Sequence, residues 1–301
     1  MEIKQDKAWQ QAISCLPPPR AAQLAALDRQ GEVEELRLRA GQPPAAKTAE
    51  GEQPLDLRPV TAQELRETLS RAARYSVHSY AESLKNGFVT LGGGHRLGVC
   101  GTVAEENGQV VGVRGLASLN LRIARQFTGL AAQIVPWIGD GAPQCVLLLS
   151  PPGLGKTTLL REWVRLISDK GYTVAVADER SEIAALADGV PQFDVGRCTD
   201  VMEGCDKKQA ALMLLKTMSP ALLAFDEITA PADVEAVSLC AHCGTAVIAS
   251  AHAANVDDLR QRPLYRALLE LGVFGRAVVI TRKGQERCYR MERLEEGTCS
   301  S

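Results

Sequence analysis

Residues 145–167 read CVLLLSPPGLGKTTLLREWVRLI, and the three-part pattern of this stretch decides the fold. Cys145 to Ser150 is a continuous apolar run without alternation, as a strand covered on both faces requires. Pro151 to Gly155 is a glycine-containing loop. After it, Leu159, Leu160, Trp163, Val164 and Ile167 recur at helical spacing and form one apolar face. Strand, loop and helix in this order are the setting of a P-loop, whose pattern is a glycine, four residues, then Gly-Lys-Ser/Thr. Gly155, Lys156 and Thr157 fit it, with Ser150 in place of the first glycine. Pro151, Pro152, Gly153, Leu154, Gly155, Lys156, Thr157 and Thr158 are therefore the expected phosphate-binding segment. Its backbone N–H groups wrap phosphates at the positive end of the helix. In this motif the lysine, Lys156, reaches the β and γ phosphates and the Thr157 hydroxyl ligates Mg²⁺.

Further apolar runs follow towards the carboxyl end: TVAVAD (173–178), LLAFDE (222–227), TAVIAS (245–250) and AVVITR (277–282), mostly separated by helical patterns. Strands alternating with helices predict an α/β core with a largely parallel sheet, of RecA-like type. In such sheets ligands gather at the strands' carboxyl ends, where this sequence places its acids. Asp226 is the expected Mg²⁺-organising carboxylate and Glu227 the expected general base towards an attacking water. Asp178, Glu179, Arg180 and Glu182 follow another strand, which gives Glu179 a competing claim to the base. Ser250 or His252, after a third strand, is placed to sense the γ phosphate, and Arg197 and Arg276 are candidates for an arginine supplied across a subunit boundary. ATP with Mg²⁺ is the expected ligand pair.

Residues 1–127 read as a smaller α+β domain. Glu32–Arg39 alternates like a half-buried strand, and Thr61 with Glu64 forms a capping box opening a helix towards Tyr75. FVTL, RLGVCGTVA, QVVGV and LNLRIA are short strands, with Asn107-Gly108 as a hairpin turn. The glycines at 92–94, followed by His95 and Arg96, make either an anion-binding loop or a tight turn. Residues 128–144, rich in Gly and Pro, read as a linker, 145–294 as the ATPase domain and 295–301 as a disordered tail. Lys and Arg total 34 against 36 Asp and Glu, so a broadly basic nucleic-acid surface is not expected. No run reaches the roughly 20 apolar residues of a membrane span, and the start lacks a signal core. A cytosolic chain is expected, with nine cysteines held as thiols. The Cys240-Ala-His-Cys243 group, at a helix end before Gly244, reads as packing rather than as a zinc site.

With these residues in view, the chain resembles the stage III sporulation protein AA family of endospore-forming bacteria. The likeness rests on EELRLRAGQPP, NGFVTLGGGHRLGVCGTV and SLNLRIAR, then SPPGLGKTTLLRE, VADERSEIAA, DVGRCTDVMEGCDKKQA, KTMSPALLAFDEI and ASAHA. That family is similar to the hexameric ATPases of type II and type IV secretion and of pili. The resemblance implies an ATPase in the mother cell, the motor of a channel complex between mother cell and forespore. It implies a homo-hexamer recruited to the membrane by membrane proteins of the same complex. It also implies phosphate and Mg²⁺ roles for Lys156, Thr157 and Asp226, with Glu227 as base, Glu179 in an acidic region and His252 in a histidine box. The alternative is a nucleic-acid-stimulated P-loop ATPase.

Overall fold

A computed structural model describes residues 6–28, 30–73, 87–106, 109–125, 131–138, 141–187, 189–284 and 286–294. The chain divides into two compact units, residues 1–125 with 185–192, and residues 126–184 with 193–301.

The first unit opens with α1 (Lys7–Ile13) and α2 (Pro18–Ala25). Its sheet contains β1 (Glu35–Arg39), β2 (Ala45–Thr48), β3 (Gly51–Pro54), β4 (Phe88–Thr90), β5 (Arg96–Glu106) and β6 (Gln109–Arg122). Their order is β3-β2-β1-β6-β5-β4, antiparallel throughout. Between β3 and β4 lies α3 (Ala62–Ala73). The capping box forms as the sequence predicts: Thr61 Oγ1 accepts the Glu64 N–H at 3.1 Å, and a Glu64 carboxylate oxygen accepts the Thr61 N–H at 2.9 Å. Leu36, Leu38, Leu97, Leu119 and Leu121 turn one face of the sheet onto Trp9, Leu16, Leu24 and Leu65 in a single core. QVVGV and LNLRIA, read as two strands, are one continuous strand, β6, which stays paired with β5 across bulges opposite Gly101. The Asn107-Gly108 turn and the stretch around Tyr75 lie outside the described residues.

The residues expected to be a linker contain α4 (Ala131–Ile138), which encloses Pro136. Ile134 and Ile138, one turn apart, are buried against the second unit's core, and this burial outweighs the breaking tendency of the proline. Beyond it run β7 (Val146–Leu149), α5 (Lys156–Asp169) and β8 (Val174–Ala177). The chain then leaves for the first unit as a hairpin of β9 (Leu186–Ala187) and β10 (Val190–Pro191). It returns through β11 (Thr199–Met202), α6 (Lys207–Thr217), β12 (Leu222–Glu227), α7 (Pro231–His242), β13 (Ala246–Ala251), α8 (Val256–Gln261), α9 (Pro263–Glu270), β14 (Arg276–Lys283) and β15 (Glu286–Arg293).

The second sheet has the order β11-β8-β12-β13-β7-β14-β15, parallel except for β15 at one edge. Side chains alternate between two cores. Val146 and Leu148 pack with Leu159, Trp163 and Ile167 of α5, whereas Leu147 and Leu149 face the side of α6, α7, α8 and α9. Helices on both faces leave the strands with no solvent side, which accounts for the unbroken apolar runs. Among the described residues, no helix is long and apolar enough to cross a membrane.

Candidate active site

The carboxyl ends of β7, β12 and β13 converge on one place. β7 ends at Leu149, and Ser150, fully buried, begins the loop. Its hydroxyl donates to Pro151 O at 2.7 Å, and its φ is not in the left-handed region, so the position makes no demand for glycine. Gly155 does make one: φ is 90° where it caps α5, and no side chain caps that helix. The first N–H groups of α5 thus remain available to an anion.

Lys156 is the first residue of α5 and is almost fully buried. Its ammonium lies 3.4 Å from Ser150 O and 2.6 Å from His252 Nδ1. His252 Nε2 lies 2.7 Å from a Glu227 carboxylate oxygen. Because an ammonium only donates, Nδ1 must accept from Lys156 and Nε2–H must donate to Glu227. Lys156, His252 and Glu227 therefore form one hydrogen-bonded chain that links the P-loop to the ends of β12 and β13. The His252 backbone is held from behind. The Tyr265 hydroxyl accepts the His252 N–H at 3.1 Å and donates to Ile228 O at 3.2 Å. Burial pulls the Lys156 ammonium below the usual lysine range, while the charges of Glu227, Asp226 and Glu182 act in the opposite direction.

Asp226 is buried beside this chain. Desolvation first, then the negative charges of Glu182 and Asp178, push its carboxyl up to about 7, and Lys207 acts against them. A carboxylate kept in such surroundings is a poor structural choice and a good cation ligand. Ser250 Oγ, buried opposite Glu227 in the β12–β13 register, has no hydrogen-bond partner among the described residues. Among the described residues, no group of three His, Cys, Asp or Glu side chains converges as a metal cage of protein ligands alone would need.

The acidic segment after β8 separates into two roles. Asp178, fully buried, accepts the backbone N–H groups of Glu182, Ile183 and Ala184 at 2.8 to 3.1 Å. It is the anchor of its own loop. Arg161 of α5 completes the loop by donating to Ile183 O and Glu182 O, and its guanidinium stacks on Phe193. Glu179 pairs with the buried Lys207, which also lies 3.6 Å from Asp233. Glu179 is thus held by Lys207 and Glu227 by His252. Lys207, the first residue of α6, is a contributor that the sequence reading missed, since one lysine at a helix start carries no motif.

Two other sequence features have a clear local geometry. The 92–94 glycines form a turn: Gly93 N–H donates to Gln192 Oε1 at 2.7 Å, and His95, fully buried, accepts the Ala124 N–H at 3.0 Å. Cys240 is buried on the inner side of α7, with its thiol pushed up to about 12 by burial, and Gly244 follows the helix end with φ 72°. The eight described cysteines are all free.

In fold the structure is similar to a pilus retraction motor and to a bacterial ATPase. It matches the pilus retraction motor PilT with bound ADP at a TM-score of 0.60, with 16% identity, over 88% of this chain and 80% of that one. It matches the ATPase DotB of Legionella pneumophila at a TM-score of 0.55, with 14% identity, over 88% and 78%. At these identities the likeness establishes the fold. In sequence, stage III sporulation protein AA of Bacillus subtilis (strain 168) is 38% identical over 257 residues, 83% of each chain. The family model described as sporulation stage III, protein AA matches residues 22–291, and with that span covered the chain belongs to this family.

Proposed function

We propose that the chain is a Mg²⁺-dependent ATPase, the motor of a sporulation channel or secretion-like complex between mother cell and forespore. The observation that carries this reading is the Lys156–His252–Glu227 chain, which ties a phosphate-binding lysine to a carboxylate through one imidazole. Such a link is a means for the loss of a γ phosphate to be felt at strand ends and passed into movement of the subunit. The fold shared with PilT, whose structure holds ADP, supports the same reading.

The residues fit the metal as well. The buried Asp226 among like charges and the unpartnered Ser250 Oγ are what a divalent cation and its waters relieve. Thr157 and Asp226 would hold Mg²⁺, which keeps most of its waters and takes few protein ligands. Bound there, it neutralises developing charge on the phosphates. Lys156 binds and orients the terminal phosphates, the loop N–H groups hold them in place, and Glu227 accepts a proton from the attacking water. Glu227 is favoured over Glu179 as base because His252 joins it directly to Lys156. In the nucleotide-bound state the Lys156 ammonium is expected to exchange His252 for phosphate oxygens. His252 would then be the group that reports occupancy. The working form is a homo-hexamer in the cytoplasm of the mother cell, recruited to the membrane by membrane proteins of the same complex.

The test is steady-state ATP hydrolysis with Mg²⁺ across a series of protein concentrations, with Lys156→Ala as control. Turnover per subunit that rises with concentration and vanishes in the variant is the expected result. Turnover that survives Lys156→Ala, or tight ATP binding without turnover even with the membrane partners added, would overturn the motor reading.

A further inference from the structure

Strand β14 does not stop where its neighbour does. β7 ends at Leu149, opposite Val279, while β14 continues to Lys283 and turns back as β15. The β14–β15 hairpin therefore overhangs the sheet at the point where the phosphate loop leaves β7. Along β15, Arg287, Tyr289 and Met291 share one side by the two-residue period of a strand. Tyr289 and Met291 pack into the core that holds α5, with Leu154 of the loop in the same cluster. Arg287, at the overhanging end of this row, is brought over the start of α5.

The contact is close. A Cβ added to Gly155 would lie 3.2 Å from Arg287 Nη1, 3.3 Å from Cζ and 3.7 Å from Nε. The guanidinium thus rests against the loop residue that precedes Lys156, in the room that the missing side chain leaves. Among the described residues no carboxylate pairs with it; it donates to the neighbouring Tyr289 hydroxyl, and its charge and that bond oppose the burial that raises the phenol. A planar cation with five donors, parked beside uncapped helix N–H groups and a buried lysine, has the chemistry of a phosphate ligand.

Building on the proposed nucleotide site, we infer that Arg287 is a second phosphate-binding cation, supplied in cis to the di- or triphosphate of the bound nucleotide. Neither the P-loop pattern nor the acidic strand ends include it, since it lies 131 residues after Lys156 on an edge strand. Arg197 and Arg276, the arginines singled out by sequence, would act if at all across a subunit boundary, whereas Arg287 belongs to the same chain as its loop.

The experiment is equilibrium binding of ATP and ADP with Mg²⁺ to the full chain and to Arg287→Ala, Arg287→Lys and Lys156→Ala, with Tm recorded for each. Arg287→Ala is expected to weaken both nucleotides by about tenfold or more with Tm unchanged, and Arg287→Lys to recover part of the loss because charge is retained. If Arg287→Ala binds as the unaltered chain does while Lys156→Ala does not, the role of Arg287 is refuted and the nucleotide site stands. A loss accompanied by a fall in Tm and not relieved by lysine makes Arg287 a structural prop and also overturns the inference. If the unaltered chain binds neither nucleotide, the proposed function fails and this inference falls with it.

Discussion

Asp178→Ala separates a structural carboxylate from the catalytic candidates that surround it. Asp178 is fully buried and accepts from three backbone N–H groups, those of Glu182, Ile183 and Ala184. Alanine leaves all three donors without that acceptor, those of Ile183 and Ala184 buried and that of Glu182 partly exposed. A buried donor without a partner costs about 1–3 kcal/mol, so the two buried ones cost about 2–6 kcal/mol, and the third adds less. Part of this is returned because the Asp178 charge disfavours ionised Asp226, and that strain is relieved. A net loss of about 3 kcal/mol follows, and at about 2–4 °C per kcal/mol for a unit of this size the unfolding midpoint falls by roughly 6–12 °C. Asp178→Asn retains one acceptor oxygen and is expected to restore about half. Urea unfolding of the full chain, followed through the transition of the unit that holds Trp163, gives the numbers. A loss below about 1 kcal/mol for Asp178→Ala would show that the loop does not depend on this carboxylate, and the division of roles between Asp178 and Glu179 would fail with it.

Three other outcomes are expected. Glu227→Gln, which keeps the hydrogen bond to His252 but accepts no proton, should retain ATP and lower turnover by about 10²-fold or more, and single-turnover hydrolysis measures it; unchanged turnover moves the base to Glu179. Lys207→Met removes a buried cation shared by Glu179 and Asp233 and should cost about 2–4 kcal/mol in urea unfolding at neutral pH, and an effect below about 1 kcal/mol would count against the pairing. Burial, aided by Arg125, lowers His95 from 6.5 to about 4, so the folded state binds fewer protons than the unfolded chain between those values. Stability from this group is complete above pH 6.5 and lost as pH falls towards 4, by about 2 kcal/mol between pH 7 and pH 5. His95→Gln should flatten that slope, and an unaltered pH dependence in the variant would exclude His95 as its source.

The P-loop and the acidic strand ends were legible because they combine a local pattern with a local conformation. An apolar run, a glycine loop and an amphipathic face sit within 23 consecutive residues, and each supports the others. The division of labour in the segment after β8 was not legible, since Asp178 and Glu179 are neighbours of the same charge. Only the direction of each side chain separates the loop anchor from the partner of Lys207. Arg287 was missed for a different reason: its proximity to Gly155 depends on β14 outrunning β7, a matter of register between distant strands. The helix within residues 128–144 was not legible because Gly and Pro were read as punctuation, while the burial of Ile134 and Ile138 that makes a helix there is tertiary.

The short hairpin of β9 and β10 has a topological consequence. Because residues 185–192 belong with the first unit, the chain passes between the two units three times, at 125/126, 184/185 and 192/193. A single cut cannot divide the molecule cleanly. Residues 1–125 alone lack Gln192, the acceptor for Gly93 N–H, and residues 126–301 alone carry a hairpin stripped of its packing. The hairpin departs after Ala184, the last residue held by Asp178, and returns at Phe193, whose N–H donates to Ala184 O at 3.3 Å; Ser181 and Ala185 nearby have φ of 53° and 50°. Three covalent tethers thus join the units, and two of them leave the second unit beside the loop that Asp178 anchors.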